Sequence, residues 1–85
     1  EADWIFYREI REERGSKSEL SGVYLGEISK AHYHHIIPKA VWKEGRYIKD
    51  NIIQITMDEH AFVESNPALY PEINRRRELI QEKYL

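Results

Sequence analysis

The chain has four histidines, and three of them fall in one stretch, Ala31-His32-Tyr33-His34-His35-Ile36-Ile37-Pro38. The fourth, His60, lies downstream after Glu59, and Asn51 sits between them. An imidazole titrates at about 6.5, so near neutral pH it can take a proton from water and return it. The neutral ring is also a good ligand for zinc, nickel and similar divalent ions. Phosphodiester hydrolysis draws on both properties. It needs a base for water, a cation for the charged transition state and leaving oxygen, and a group that orients the base. His34 and His60 could hold the cation, another of the histidines serve as the base, and Asn51 bond across its loop to keep that base in place.

These residues come from separate segments, so local elements must assemble them. Asp3 is a candidate cap for a helix from about Trp4 to Arg14, with Trp4, Ile5, Tyr7, Ile10 and Arg14 on one broad face and Gly15 as its stop. Its other charges are most simply solvated. Gly15 to Gly22 reads as a loop, Val23-Tyr24-Leu25 as a short strand or edge segment, and Gly26 to Ser29 as a turn. Lys30 to Ile37 reads as a strand, rich in aromatic and β-branched residues. Pro38 stops it, because proline disfavours helix in the residue before it and donates nothing to a ladder. A loop of about a dozen residues follows, and a loop that long in a small chain is usually functional or pinned by its own side chains. Trp42 and Tyr47 are the candidate pins.

Ile52-Ile53-Gln54-Ile55 reads as the partner strand, entered through Asp50-Asn51. Thr56-Met57-Asp58-Glu59 has the pattern of a capping box, which starts a helix and puts His60 in its first turns. Asn66-Pro67 ends that helix, and Pro71 opens a last one to about Tyr84, with Ile73, Leu79, Ile80 and Tyr84 inward. The expected class is α+β: a two-stranded antiparallel hairpin with a long loop plus a helix, flanked by N- and C-terminal helices. Adjacent strand residues face opposite sides. His34 and His35 therefore share a site only where the strand ends or twists sharply, and Pro38 supplies such an end.

Composition narrows the classes. Eighty-five residues make one small domain, and with no cysteine there is neither a disulfide nor a thiolate zinc site. The net charge of -2 argues against a nonspecific nucleic-acid coat protein, which needs a basic surface. Locally the balance differs: from Lys30 to Lys49 the cations Lys30, Lys39, Lys43, Arg46 and Lys49 face Glu44 alone, and Arg75 to Arg77 form a second basic cluster. No apolar run approaches membrane length and no signal peptide is visible, so the expectation is no membrane partner and an intracellular location. The chain begins at Glu1 rather than Met. That is expected of part of a longer protein, with other domains or subunits as partners.

The run His34-His35-Ile36-Ile37-Pro38-Lys39, then Asp50-Asn51, then Glu59-His60 resembles the HNH endonuclease family and its ββα-metal fold, over about residues 30 to 66. His35 to Asn51 is 16 positions and Asn51 to His60 is 9, as in that family. The resemblance implies one HNH nuclease domain over residues 1–85, cutting DNA with one divalent ion: magnesium, manganese, nickel or zinc. It implies His34 and His60 as metal ligands, His35 as the general base and Asn51 as the residue that orients the base's strand and loop. Glu64 stands where some members carry a further histidine, and His32 could chelate as the i, i+2 neighbour of His34; both are accessory candidates. Lys39, Lys43, Arg46 and Lys49 are candidate nucleic-acid contacts. A bacterial or phage origin is also implied.

Many members carry flanking Cys-x-x-Cys pairs that bind zinc. Here Ser18 and Ser21, and Thr56 and Glu59, stand at those positions, and the capping box would replace part of the lost stapling. The rival readings are a noncatalytic nucleic-acid-binding module, to which the negative net charge lends weight, and a structural metal site on His32, His34 and His60. RNA is an alternative substrate.

Overall fold

A computed structural model describes all of residues 1–85. The chain runs α1 (Ala2–Arg14), β1 (Tyr33–His35), β2 (Ile52–Gln54), α2 (Met57–Ser65) and α3 (Pro71–Tyr84), with 3₁₀ turns at Lys30–His32, Lys43–Tyr47 and Lys49–Asn51. It is a small α+β fold in which the antiparallel hairpin β1–β2 is the middle layer. No helix is long and apolar enough to cross a membrane.

The hairpin register explains the layering. Tyr33 pairs with Gln54, His34 with Ile53 and His35 with Ile52. Alternation puts Tyr33, His35, Ile52 and Gln54 on one face and His34 and Ile53 on the other. The first face packs on α1, where Phe6, Tyr7 and Ile10 meet Tyr33 and Ile52. The Tyr7 and Tyr33 rings stack with centroids 4.6 Å apart. On the second face Ile53 joins Ile36, Ile37, Ile55, Val63 of α2 and Ile73 and Ile80 of α3. Ile10, Ile52, Ile53, Ile55 and Ile73 are completely buried, each worth about 2 kcal/mol of apolar burial.

Gln54 is also completely buried, and it is fully engaged. Its Nε2 donates to the Gly15 and Lys17 carbonyls, and its Oε1 accepts from the Tyr33 hydroxyl at 2.9 Å. This ties the loop after α1 to the hairpin and leaves no orphaned amide inside.

The start of α2 is built as expected. Thr56 Oγ1 accepts from the Glu59 backbone N–H, and the Glu59 carboxylate accepts from the Thr56 N–H. The clasp extends further, because Ser18 Oγ donates to Glu59 Oε1 at 2.6 Å and accepts from the Leu20 and Ser21 amides. Ser18, Thr56 and Glu59 thus pin the 18–21 loop to the head of α2 by hydrogen bonds alone.

Several boundaries differ from expectation. The strand expected over Lys30 to Ile37 is only Tyr33–His35, because Ser29 accepts from the Ala31 amide and winds Lys30–His32 into a turn. Val23 to Leu25 makes a single bridge, Tyr24 with Lys17, rather than a strand. Asp3 does not cap α1, which begins at Ala2 with no side-chain cap. Phe6 takes the buried place expected for Ile5, which is 62% exposed, and Leu79 of α3 is 50% exposed. Arg14 turns inward, donating to the Ile52 and Lys49 carbonyls and to Glu19. The long loop is pinned as expected. Trp42 packs on the core and on Tyr84, and Tyr47 meets Phe6 edge-on at 5.3 Å.

Candidate active site

β1 ends at His35, directly after His34. His34 turns toward α2 and His35 toward α1, and both border one open cleft of about 560 Å³. Asp3 and Tyr7 of α1, Lys30, Lys39 and the α2 residues His60 and Glu64 complete its walls. A slightly larger cleft, about 630 Å³, lies between Arg14, Asp50 and α3. It contains no histidine, and its cations are held by Glu19, Glu72 and Asp50.

His34 and His60 face each other with ring centroids 5.1 Å apart. One ligand atom from each of His34, His60 and Glu64 lies within 4.8 Å of the others. The capping box sets this geometry, since it fixes where α2 starts and hence where the first and second turns point. His60 Nδ1 is 2.7 Å from the Ala31 carbonyl oxygen, and Nε2 is 2.9 Å from Glu64 Oε1. A carbonyl and a carboxylate both accept, yet a neutral imidazole has only one N–H. With Nδ1–H given to Ala31, the Nε2 lone pair and the Glu64 carboxylate are two electron-pair donors aimed at one space, which a metal ion would satisfy. Anchoring one ring nitrogen on a carbonyl, so that the other can ligate, is the usual arrangement of a metal-binding histidine. Two imidazole nitrogens and a carboxylate oxygen suit zinc, nickel or manganese better than magnesium, which favours all-oxygen sites. The residues fit a divalent cation.

Burial pushes the His34 pKa down to about 4, helped by the neighbouring His60, His35 and Arg77. The ring is neutral at pH 7 and able to ligate. A consequence for stability follows. In the unfolded chain His34 titrates near 6.5, so as pH falls the unfolded state takes up the proton first. Stability is therefore full above about pH 6.5 and is lost as pH falls toward about 4. His32 and His35, also depressed by burial, add to the same trend. The melting temperature of the metal-free protein should fall through this window, and His34→Asn should flatten the slope. An identical slope in that variant would contradict it.

His35 is held differently. Its Nε2 lies 3.1 Å from the Arg46 carbonyl oxygen. Since the carbonyl can only accept, Nε2 carries the proton and Nδ1 keeps its lone pair. Burial lowers the His35 pKa, partly offset by this bond to Arg46. Asn51 stands behind the arrangement, completely buried. Its Oδ1 accepts from the Ile37 amide at 2.8 Å, and its Nδ2 donates to the Ile37 and Gly45 carbonyls. The Asn51 side chain thereby extends the hairpin ladder by one pair and grips the loop beside Arg46. Gly45 is packed on Trp42, where an added Cβ would sit 2.7 Å from Cδ2 of the indole. From the other side the Asp3 carboxylate accepts from Arg46 Nε and Nη2 and from the Tyr47 hydroxyl at 2.7 Å. Arg46 holds the Asp3 carboxyl well below the usual range.

The structure thus brings His34, His60 and Glu64 together, with His35 in the same cleft and Asn51 supporting it. His32 lies elsewhere. It is 4% exposed, packs in a notch with Tyr24, Leu25, Thr56 and Met57, and belongs to the 3₁₀ turn rather than to the face of His34. Among the expected nucleic-acid contacts, Lys39 lines the cleft, whereas Lys43 is exposed outside it. Arg46 and Lys49 are paired with Asp3 and Glu13. Asp3, Tyr7 and Lys30 are cleft residues that the sequence reading did not select. The only trace of Asp3 was its charge, opposite to that of a distant arginine. Comparison of the chain with protein-family models, curated proteins and solved structures returns no match. The functional reading therefore stands on this geometry and on the residue pattern.

Proposed function

We propose that the chain is an HNH-type endonuclease domain that hydrolyses DNA phosphodiester bonds with one divalent metal ion. The observation that carries this reading is the convergence of His34, His60 and Glu64 ligand atoms within 4.8 Å, in the cleft that also holds His35. His34 and His60 would hold the ion, with Glu64 as a third ligand on the next turn of α2. A bound divalent ion supplies charge stabilisation for the phosphoryl and departing oxygens.

The chain's own groups do the rest. His35 Nδ1 takes a proton from the water that attacks phosphorus as the bond to the 3′-oxygen breaks. The Nε2–H bond to the Arg46 carbonyl keeps the ring from turning and favours the imidazolium that forms. Asn51 touches neither water nor phosphate; it is a positioning residue that holds the loop carrying that carbonyl. Lys39 on the cleft wall supplies positive potential for an incoming phosphate. An intracellular, bacterial or phage setting with no membrane partner belongs to the same reading.

A plasmid-nicking assay tests the proposal. Supercoiled DNA should be converted to nicked or linear forms with Mn²⁺, Ni²⁺ or Mg²⁺, and EDTA should stop the reaction. Binding without cleavage under every metal would instead support a noncatalytic module. The structural-metal alternative on His32, His34 and His60 loses ground because His32 is turned away from the other two.

A further inference from the structure

We propose that a nucleic-acid backbone reaches the cleft over the N-terminal half of α1, gripped by Arg8 and Lys30 across the Trp4 ring. The proposal deepens the nuclease reading and rests on it for what lies at the end of the path. It starts from which cations are free. Arg14, Arg46, Lys49, Arg75, Arg76 and Lys83 are each within ion-pair distance of a carboxylate. Arg11 donates to Ser16 and the Gly26 carbonyl, and Arg77 to Asn74 and the Pro67 carbonyl.

Arg8 and Lys30 have no such acidic partner. The Arg8 guanidinium lies 5.9 Å and the Lys30 ammonium 5.5 Å from the centroid of the Trp4 ring. An aromatic ring holds a cation in place without cancelling its charge, whereas a carboxylate would neutralise it. Both side chains are exposed. Lys30 also lines the histidine cleft, as do Asp3 and Tyr7, the α1 neighbours of Trp4 and Arg8. Lys39, likewise free of a carboxylate, lines the same cleft. Arg8, Lys30 and Lys39 therefore make a line of cations outside any ion pair that runs from α1 into the cleft, where Asp3, already bound to Arg46, is the acid nearest Lys30 on that wall. Lys17 and Lys43 are also unpaired but border no part of it.

On a chain of net charge -2, cations left out of ion pairs at and beside one cleft suit a polyanion. The repeating charge of a phosphodiester backbone meets successive cations of this kind without regard to sequence. The path keeps Lys30 and Lys39 of the basic stretch the sequence suggested and adds Arg8, while Arg46 and Lys49 of that stretch are spent on Asp3 and Glu13.

The test is duplex binding by fluorescence anisotropy in EDTA over a range of salt, comparing wild type with the double variant Arg8→Gln, Lys30→Gln. Lys83→Gln, at a cation paired with Asp50, is the control. Near physiological salt the double variant should bind roughly tenfold more weakly, and the slope of log affinity against log salt should fall by about 2. The loss should be the same for unrelated duplex sequences, and the control should keep the wild-type slope. Unchanged affinity and slope in the double variant, or no duplex binding by wild type at low salt, would overturn the proposal. Parallel nicking assays separate the two readings. A wrong path with a correct nuclease gives normal cleavage by the double variant. A correct path on a noncatalytic domain gives binding that depends on Arg8 and Lys30, with no cleavage.

Discussion

Replacing His35 by alanine should lower the rate of DNA cleavage by about 10²–10⁴-fold, the usual contribution of a positioned general base. Metal binding should stay close to wild type, because His35 is outside the His34, His60 and Glu64 group. The fold should also survive. His35 is only half-buried, and its one side-chain hydrogen bond, to the Arg46 carbonyl, lies at an exposed position. Single-turnover nicking at saturating Mn²⁺, with a metal titration on the same sample, measures both effects. Cleavage at the wild-type rate would remove His35 as the base. Loss of metal affinity as well as rate would place it among the ligands instead.

The second large effect is on stability. Asn51→Ala should cost about 3 kcal/mol or more, since it strips partners from the buried Ile37 amide and from the Ile37 and Gly45 carbonyls. Against a total of about 5–10 kcal/mol for a small domain, that loss is severe. Urea denaturation reads it directly. Asn51→Asp separates positioning from bulk packing. It keeps an acceptor for the Ile37 amide but sets a carboxylate oxygen against two carbonyls. A loss below about 1 kcal/mol in Asn51→Ala would mean the loop is held by Trp42 and Asp3 instead.

Much of this arrangement was legible locally. The capping box announced α2 and fixed the place of His60 on it, and helical spacing put Glu64 on the same side one turn later. Pro38 marked the strand end that lets His34 and His35 share a cleft. Trp42 and Tyr47 were readable as the pins of a loop too long to be left free. What could not be read depends on contacts between distant segments. Asp3 looked like a helix cap because Ser, Thr, Asp and Asn are the usual caps; its true partners, Arg46 and Tyr47, leave no local trace. Arg14 looked like part of a helix face until Ile52 and Lys49 supplied carbonyls for it.

Strand length failed for a related reason. A Ser29 side-chain bond outcompeted the β preference of the residues after it. Ile5 and Leu79 show the limit of periodicity: hydrophobic spacing allowed both to face inward, and only the placement of neighbouring helices decided against them. Charge balance misled in the same way. Arg46 and Lys49 counted as free in a local tally, yet Asp3 and Glu13 approach them from α1.

Calorimetric titration of the metal-free protein with Ni²⁺ or Mn²⁺ tests the shared grip of His34, His60 and Glu64 most directly. The expected result is saturation at one ion per chain, abolished in His60→Ala and His34→Ala, weakened in Glu64→Ala and unchanged in His35→Ala. No saturable binding by wild type, or an isotherm that His60→Ala leaves intact, would contradict it.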